Sequence, residues 1–310
     1  MSLWLCAFVL VAGCKGDESK DKTSAPAPAT QGAPVDKPAE PPAPVTPPVK
    51  APDKGALLTQ IATCEDDSSC DAYKPLVALG TQVSADLAKL AADATKPAKA
   101  RQVAAKALSE IKDPATGKTL WDAARVEQDF MVRGDLFQAA GASGSDEVLA
   151  AAGAFYLTDA GWEVRTEARK AFKGFGHKAF DWAAGALVKA TTKFQTAVAD
   201  VIMDSAQPSD LARIKELLGQ VKDRMTRHRL AQVAVQHGDL TQFAVLLDGL
   251  AKGDVYERSD AANMLAPVIK LLPEAAKAKT IDLLKAAKAK DSGGLTASGY
   301  DGCLKALGAP

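Results

Sequence analysis

The run RQVAAKAL at residues 101–108 places Ala104, Ala107 and Leu108 on one face of a helix, with an arginine at its head. Outward from it, the same figure returns as RGDLFQAA at 133–140, RTEARKAF at 165–172, FQTAVADV at 194–201, RHRLAQVA at 227–234, RSDAANML at 258–265 and YDGCLKAL at 300–307. The head residues are 32, 32, 29, 33, 31 and 42 positions apart. Three places after each head stand Ala104, Leu136, Ala168, Ala197, Leu230, Ala261 and Cys303, all small or apolar. A helix that buries one face through such a stripe recurs, therefore, about every thirty residues. Cys303 takes a core position in the last copy and is expected buried and unpaired, acting as a small hydrophobe.

Partner helices are expected between these runs, at 146–157, 177–190, 209–221, 239–250 and 273–287, several opening on Asp or Ser where a side-chain oxygen caps the free backbone amides. No stretch sustains the period-two alternation of a strand. An all-α domain over residues 55–310 follows, an α-solenoid of antiparallel helix pairs in which each pair buries its apolar face on its neighbours. The second-helix pattern, best preserved in KARQVAAKAL, EVRTEARKAF and YERSDAANML, resembles the HEAT repeat and its bacterial relatives of armadillo type. That resemblance implies a curved surface for binding another macromolecule and implies no reaction.

The chain begins MSLWLCAFVLVAGC, where an apolar run from Leu3 to Ala12 is too short to cross a bilayer and fits the hydrophobic region of a signal peptide. Val11, Ala12, Gly13 and Cys14 resemble a bacterial lipobox, although no Lys or Arg precedes the run. The resemblance implies a signal peptide over residues 1–13, cleavage before Cys14, lipidation of that cysteine and attachment to a membrane of the bacterial envelope. Lys15 after it, rather than Asp, favours the outer membrane by the enterobacterial rule. Residues 14–54 hold ten of the seventeen prolines between Pro26 and Pro52 and read as a disordered, semi-extended tether.

Export places the remaining thiols in an oxidising compartment. Cys64 and Cys70 bracket EDDSS at a spacing that suits a small disulfide loop. Zinc would need more ligands than this segment has. Calcium would need an alternating acidic pattern that Glu65, Asp66, Asp67 and Asp71 do not form, so these acids are expected to open the following helix instead.

Equal numbers of basic and acidic residues, 38 each, argue against a nucleic-acid partner. The tether holds six of each, so the repeat domain is itself balanced. ATGKT at 115–119 lacks the first glycine of a phosphate loop, and GFGH at 174–177 reads as a helix end meeting a helix start. His177, His228 and His237 do not fall at ligand spacing. No metal, cofactor or catalytic set is expected.

Two features suggest an interaction surface. Eleven of the fifteen aromatics beyond the signal region lie between Trp121 and Phe194; Trp121, Phe155, Tyr156, Trp162, Phe180 and Trp182 are the candidates, with a packed core as the competing role. KDRMTRHR at 222–229 gathers Lys222, Arg224, Arg227 and Arg229 at a helix start, suited to an anionic polymer or an acidic partner, or else a solvated face. The expectation is a membrane-anchored lipoprotein whose repeat surface is a non-enzymatic scaffold for a protein partner or an envelope polymer. A glycan-directed envelope enzyme with carboxylates in the groove is the alternative, and a plain spacer a third reading.

Overall fold

In the computed structural model, residues 53–158, 161–291 and 297–309 are described, and all regular structure among them is helical. The signal region, Cys14 and most of the tether lie outside the described residues. α1 (Lys54–Ile61) and α2 (Tyr73–Leu79) precede seven helix pairs. These are α3 (Thr81–Ala92) with α4 (Ala98–Ile111), α5 (Gly117–Val126) with α6 (Phe130–Ala142), α7 (Asp146–Tyr156) with α8 (Trp162–Phe175), and α9 (His177–Leu187) with α10 (Thr192–Ser205). α11 (Leu211–Gln220) with α12 (Arg224–Gln236), α13 (Phe243–Lys252) with α14 (Val255–Leu265), and α15 (Glu274–Lys290) with α16 (Ala297–Ala306) complete the array.

The pairs stack into two layers. In one, α4, α6, α8, α10, α12, α14 and α16 each pack on the next; in the other, α3 meets α5, α5 meets α7, α9 meets α11 and α13 meets α15. The architecture is the HEAT-like α-solenoid that the repeat implied.

Local sequence sets the helix starts. Asp129 accepts from the amides of Met131 and Val132, Asp223 from Thr226, and Asp254 from Glu257, whose own side chain returns to the Asp254 amide. Partner helices begin later than the periodicity suggests where a short 3-10 turn intervenes: Pro208–Asp210 precedes α11, and Leu240–Gln242 precedes α13. Gly176, at φ +57°, joins α8 directly to α9, the helix-end role read from GFGH.

The core follows the stripe. Ala104, Leu136, Ala168, Leu230, Ala261 and Cys303 are fully buried. The expectation fails at Ala197, which is half-buried, while Val198, Val201 and Ile202 face inward. Moving that repeat's head from Phe194 to Gln195 gives spacings of 30 and 32, nearer the rest. Cys303 is free and donates to the Ala262 carbonyl at 3.4 Å, and burial pushes its thiol up to about 11.

Cys64 and Cys70 are disulfide-bonded, with Cα atoms 5.5 Å apart. The acids between them do not open α2. Asp66 accepts from the Ser68 hydroxyl at 2.6 Å and the Ser69 amide at 2.7 Å, and Asp67 meets Lys106 Nζ at 3.0 Å, so these two carboxylates serve the loop and tie it to α4.

Candidate functional site

Four of the arginines at the heads of second helices have a structural task. Arg101 donates to the Ala91 carbonyl at 3.1 Å, Arg133 to Glu127 at 3.3 Å, Arg227 to Leu218 at 3.4 Å and Val221 at 3.5 Å, and Arg258 to Gly253 at 2.6 Å. Each acceptor lies at the end of the first helix of the same pair, where carbonyls lack intrahelical partners and the helix dipole favours a cation. Some heads also reach forward, Arg101 to the carboxylate of Glu127 and Arg258 to that of Asp291.

A second set of charges crosses the same layer. Arg169 on α8 meets Asp204 at 2.5 Å and Asp200 at 3.5 Å on α10. Asp200 accepts from Arg229 Nε of α12 at 2.7 Å, and Arg229 Nη1 reaches Asp260 of α14 at 2.6 Å. Burial opposes the charge on Arg229, but Asp260 and Asp200 outweigh it and raise the guanidinium above its ordinary value. His228 is fully buried, its Nδ1 3.0 Å from Asp260 Oδ2. With a carboxylate at Nδ1 the proton belongs there, and Nε2, which has no hydrogen-bond partner, rests over Gly249. The residues Arg169, Asp200, Arg229 and Asp260 are 31, 29 and 31 apart, so alternating charge at the repeat period was a signal available in the sequence. Arg229 is thus withdrawn from the candidate surface: it joins three helices. Asp200 and Asp260 do face one another, but across this guanidinium, which donates a hydrogen bond to each.

The aromatic candidates are likewise core. Trp121, Tyr156 and Phe180 are buried, and Phe155 and Trp182 are half-buried. Trp121 packs on Phe137 at 4.9 Å between centroids and on Phe155 at 5.8 Å, edge on; Trp182 stacks on Phe172 at 4.7 Å, and Tyr156 meets Phe172 edge on at 5.1 Å. Trp162 opens α8, and its side chain lies outside the described residues. As an interaction surface this cluster is corrected to a packing centre, in which Trp182 lines one cleft, with Asp181 and Lys189 at its rim, and Trp121 lines another beside Lys118 and Arg125.

The structure brings the basic candidates together. Lys222, Arg224 and Arg227 line one open cleft of about 520 Å³, whose opposite wall is Ala244, Val245 and Asp248 of α13. Asp223 caps α12 between them, and Arg224 Nη1 is 2.6 Å from Glu257. Lys252 donates to Asp248 and, together with Arg224 and Arg227, holds its carboxyl below the usual range against the cost of burial. Lys222 is exposed. Cations thus converge beside a small apolar wall.

No family model matches the chain, and no curated protein matches it. Among solved structures it is similar to human deoxyhypusine hydroxylase, at 18% identity and a TM-score of 0.32 over 82% of this chain and 95% of that one. It is also similar to the complex of CpcE and CpcF of phycocyanin lyase from Nostoc sp. PCC7120, at 15% identity and a TM-score of 0.29 over 86% and 100%. The likeness extends to the helical-repeat architecture and no further. It does correct one expectation. The similar chains are a hydroxylase and part of a lyase, so paired-helix repeats do not mark a chain as a non-enzymatic scaffold, and that reading is withdrawn.

Proposed function

We propose that the chain is an exported lipoprotein, held in the bacterial envelope through Cys14, whose repeat domain binds an anionic ligand in the cleft of Lys222, Arg224 and Arg227. The observation that carries this reading is the convergence of three cations on one open cleft in a domain of zero net charge. With three cations to one carboxylate, Asp248, among its lining residues, the cleft carries an excess of positive charge on a neutral body, which steers an oppositely charged ligand to that place. Guanidinium groups also offer paired donors that match carboxylate and phosphate geometry. The Cys64–Cys70 bond supports export, since such bonds persist in oxidising compartments.

Calorimetric titration of two short polyanions, hexaglutamate and digalacturonate, tests the cleft. Binding of at least one is expected, weakening with added salt and lost in Lys222→Glu/Arg224→Glu, which leaves Arg227 on its carbonyl acceptors. Neither binding, or binding unchanged by charge reversal, overturns the assignment. For the anchor, an alkyne analogue of palmitate should label the wild type and not Cys14→Ser; equal labelling refutes lipidation at that residue.

A further inference from the structure

Six of the eight well-exposed large apolar side chains among the described residues fall at corners where the first helix of a pair ends and the second starts. They are Val126, Phe130 and Met131 between α5 and α6, Val188 between α9 and α10, and Val255 and Tyr256 between α13 and α14. The other two, Leu240 and Leu271, stand where a second helix gives way to the next pair. In an array of antiparallel pairs, all corners of the first kind lie along one edge and all of the second kind along the other. Corners are ordinarily polar, and apolar groups gathered in one region mark an interaction surface where singly scattered ones do not.

The charges of the apolar edge are also one-sided. Lys96 between α3 and α4, Lys189 beside Val188, and Lys222 between α11 and α12 are exposed and engaged in no ion pair. The carboxylates there are mostly committed: Asp93 to Thr95, Glu127 to Arg101, Glu257 to Arg224, and Asp129, Asp223 and Asp254 to backbone amides. Glu163 is the exposed carboxylate of this edge without such a partner. Three available ammonium groups therefore stand against one carboxylate among the described residues.

We infer that this edge rests on an anionic lipid bilayer, with the side chains of the α5–α6, α9–α10 and α13–α14 corners entering its interface. The spacing selects a bilayer over a protein. Helices pack about 8–10 Å apart, so corners two helices apart are separated by about 16–20 Å. A protein partner would need a contiguous dry centre, which separated tips with lysines between them do not provide. A bilayer is continuous and meets every tip at once. Phe130, Met131 and the valines suit the acyl boundary, and Tyr256, 74% exposed, suits the headgroup level. Lysine stems lie along apolar surface while their ammonium groups reach anionic headgroups. The inference goes beyond the anchor at Cys14: it gives the repeat domain a membrane contact of its own and says which edge faces the lipid.

An environment-sensitive fluorophore on a single introduced cysteine tests this in the full chain, mixed with vesicles of phosphatidylethanolamine and phosphatidylglycerol. The label on Val188→Cys should brighten and be quenched by spin-labelled lipid; the label on Leu271→Cys, at the opposite edge, should do neither. Phe130→Ala/Tyr256→Ala should cut the Val188→Cys quenching several-fold and leave the melting temperature unchanged, since both side chains are exposed. Quenching equal at the two positions, absent at position 188, or undiminished in the double variant overturns the inference. Self-association that the double variant abolishes, without quenching at position 188, overturns it too and assigns the edge to a second copy. A chain held on vesicles with no quenching at position 188 refutes the edge and leaves the anchor standing. Quenching in a chain that takes no palmitate label refutes the anchor alone.

Discussion

Asp260 takes two partners from consecutive residues of α12: Oδ1 accepts from Arg229 at 2.6 Å and Oδ2 lies 3.0 Å from His228. One carboxylate on α14 therefore fixes both the rotation of α12 and the protonated nitrogen of a fully buried imidazole. Removing it leaves a guanidinium that is 13% exposed with Asp200 as its remaining carboxylate and takes the acceptor from the buried His228 Nδ1. Breaking one side of a buried pair costs about 3–5 kcal/mol. Asp260→Ala should lose that much in urea unfolding, and Asp260→Asn, which keeps the shape and an acceptor oxygen, clearly less. Equal, small losses in both would show that the pair contributes little to folding.

Gly141 and Gly185 should respond to alanine in opposite directions. A Cβ at Gly141 on α6 would overlap the backbone carbonyl of Ala171 on α8, and one at Gly174 would overlap the backbone at Gly141 and Ala142. These two helices touch main chain to main chain. Gly141→Ala is expected to cost about 1–3 kcal/mol or more by overpacking. Gly185 on α9 has open space around it, and alanine there should stabilise by about 0.5–1 kcal/mol through helix propensity. Thermal denaturation of both variants decides this; a neutral Gly141→Ala would contradict the close approach.

The Thr241 hydroxyl, with Gln242 and Lys215, holds the Asp239 carboxyl at about 2, against burial. A folded-state value below the unfolded one, about 3.9, contributes stability that is full above pH 4 and lost as pH falls toward 2. Asp239→Asn should be less stable than wild type at pH 5, with the difference closing by pH 2. Urea melts at several pH values measure it, and a constant difference would show that Asp239 has no such linkage.

Mass spectrometry without reduction should find Cys64 and Cys70 in one linked peptide and Cys303 unmodified by an alkylating reagent until the chain is unfolded. Labelling of Cys303 in the native chain at the rate of a free peptide thiol would place it outside the core.

The repeat was legible because burial on one face imposes a period, and Ala104, Leu136, Ala168, Leu230 and Ala261 display it at nearly fixed spacing. The task of the head arginine was not, since a carbonyl acceptor such as Ala91 or Gly253 leaves no side-chain signature. Arg227 and Arg229 are two positions apart and look alike in sequence; a helical turn sends one to the cleft and the other to Asp200 and Asp260. Aromatics gave the same ambiguity, because Trp121 and Phe130 are both large and apolar, and only the path of the chain puts one inside and the other on an edge. The pairs His177–Asp210 and His228–Asp260 escaped notice too, although their separations of 33 and 32 residues match the repeat.

Repeat arrays are commonly pictured as modules that can be added or trimmed one at a time. The charges shared between successive second helices give this one a different character. A chain ended after Gln236 would keep Arg229 and His228 but lose Asp260, and a chain begun at Asp223 would keep Arg229 without Asp200. From α8 to α14, any cut made between pairs divides a carboxylate from its cation. The middle of the solenoid is therefore a unit that evolution or design cannot readily shorten from within.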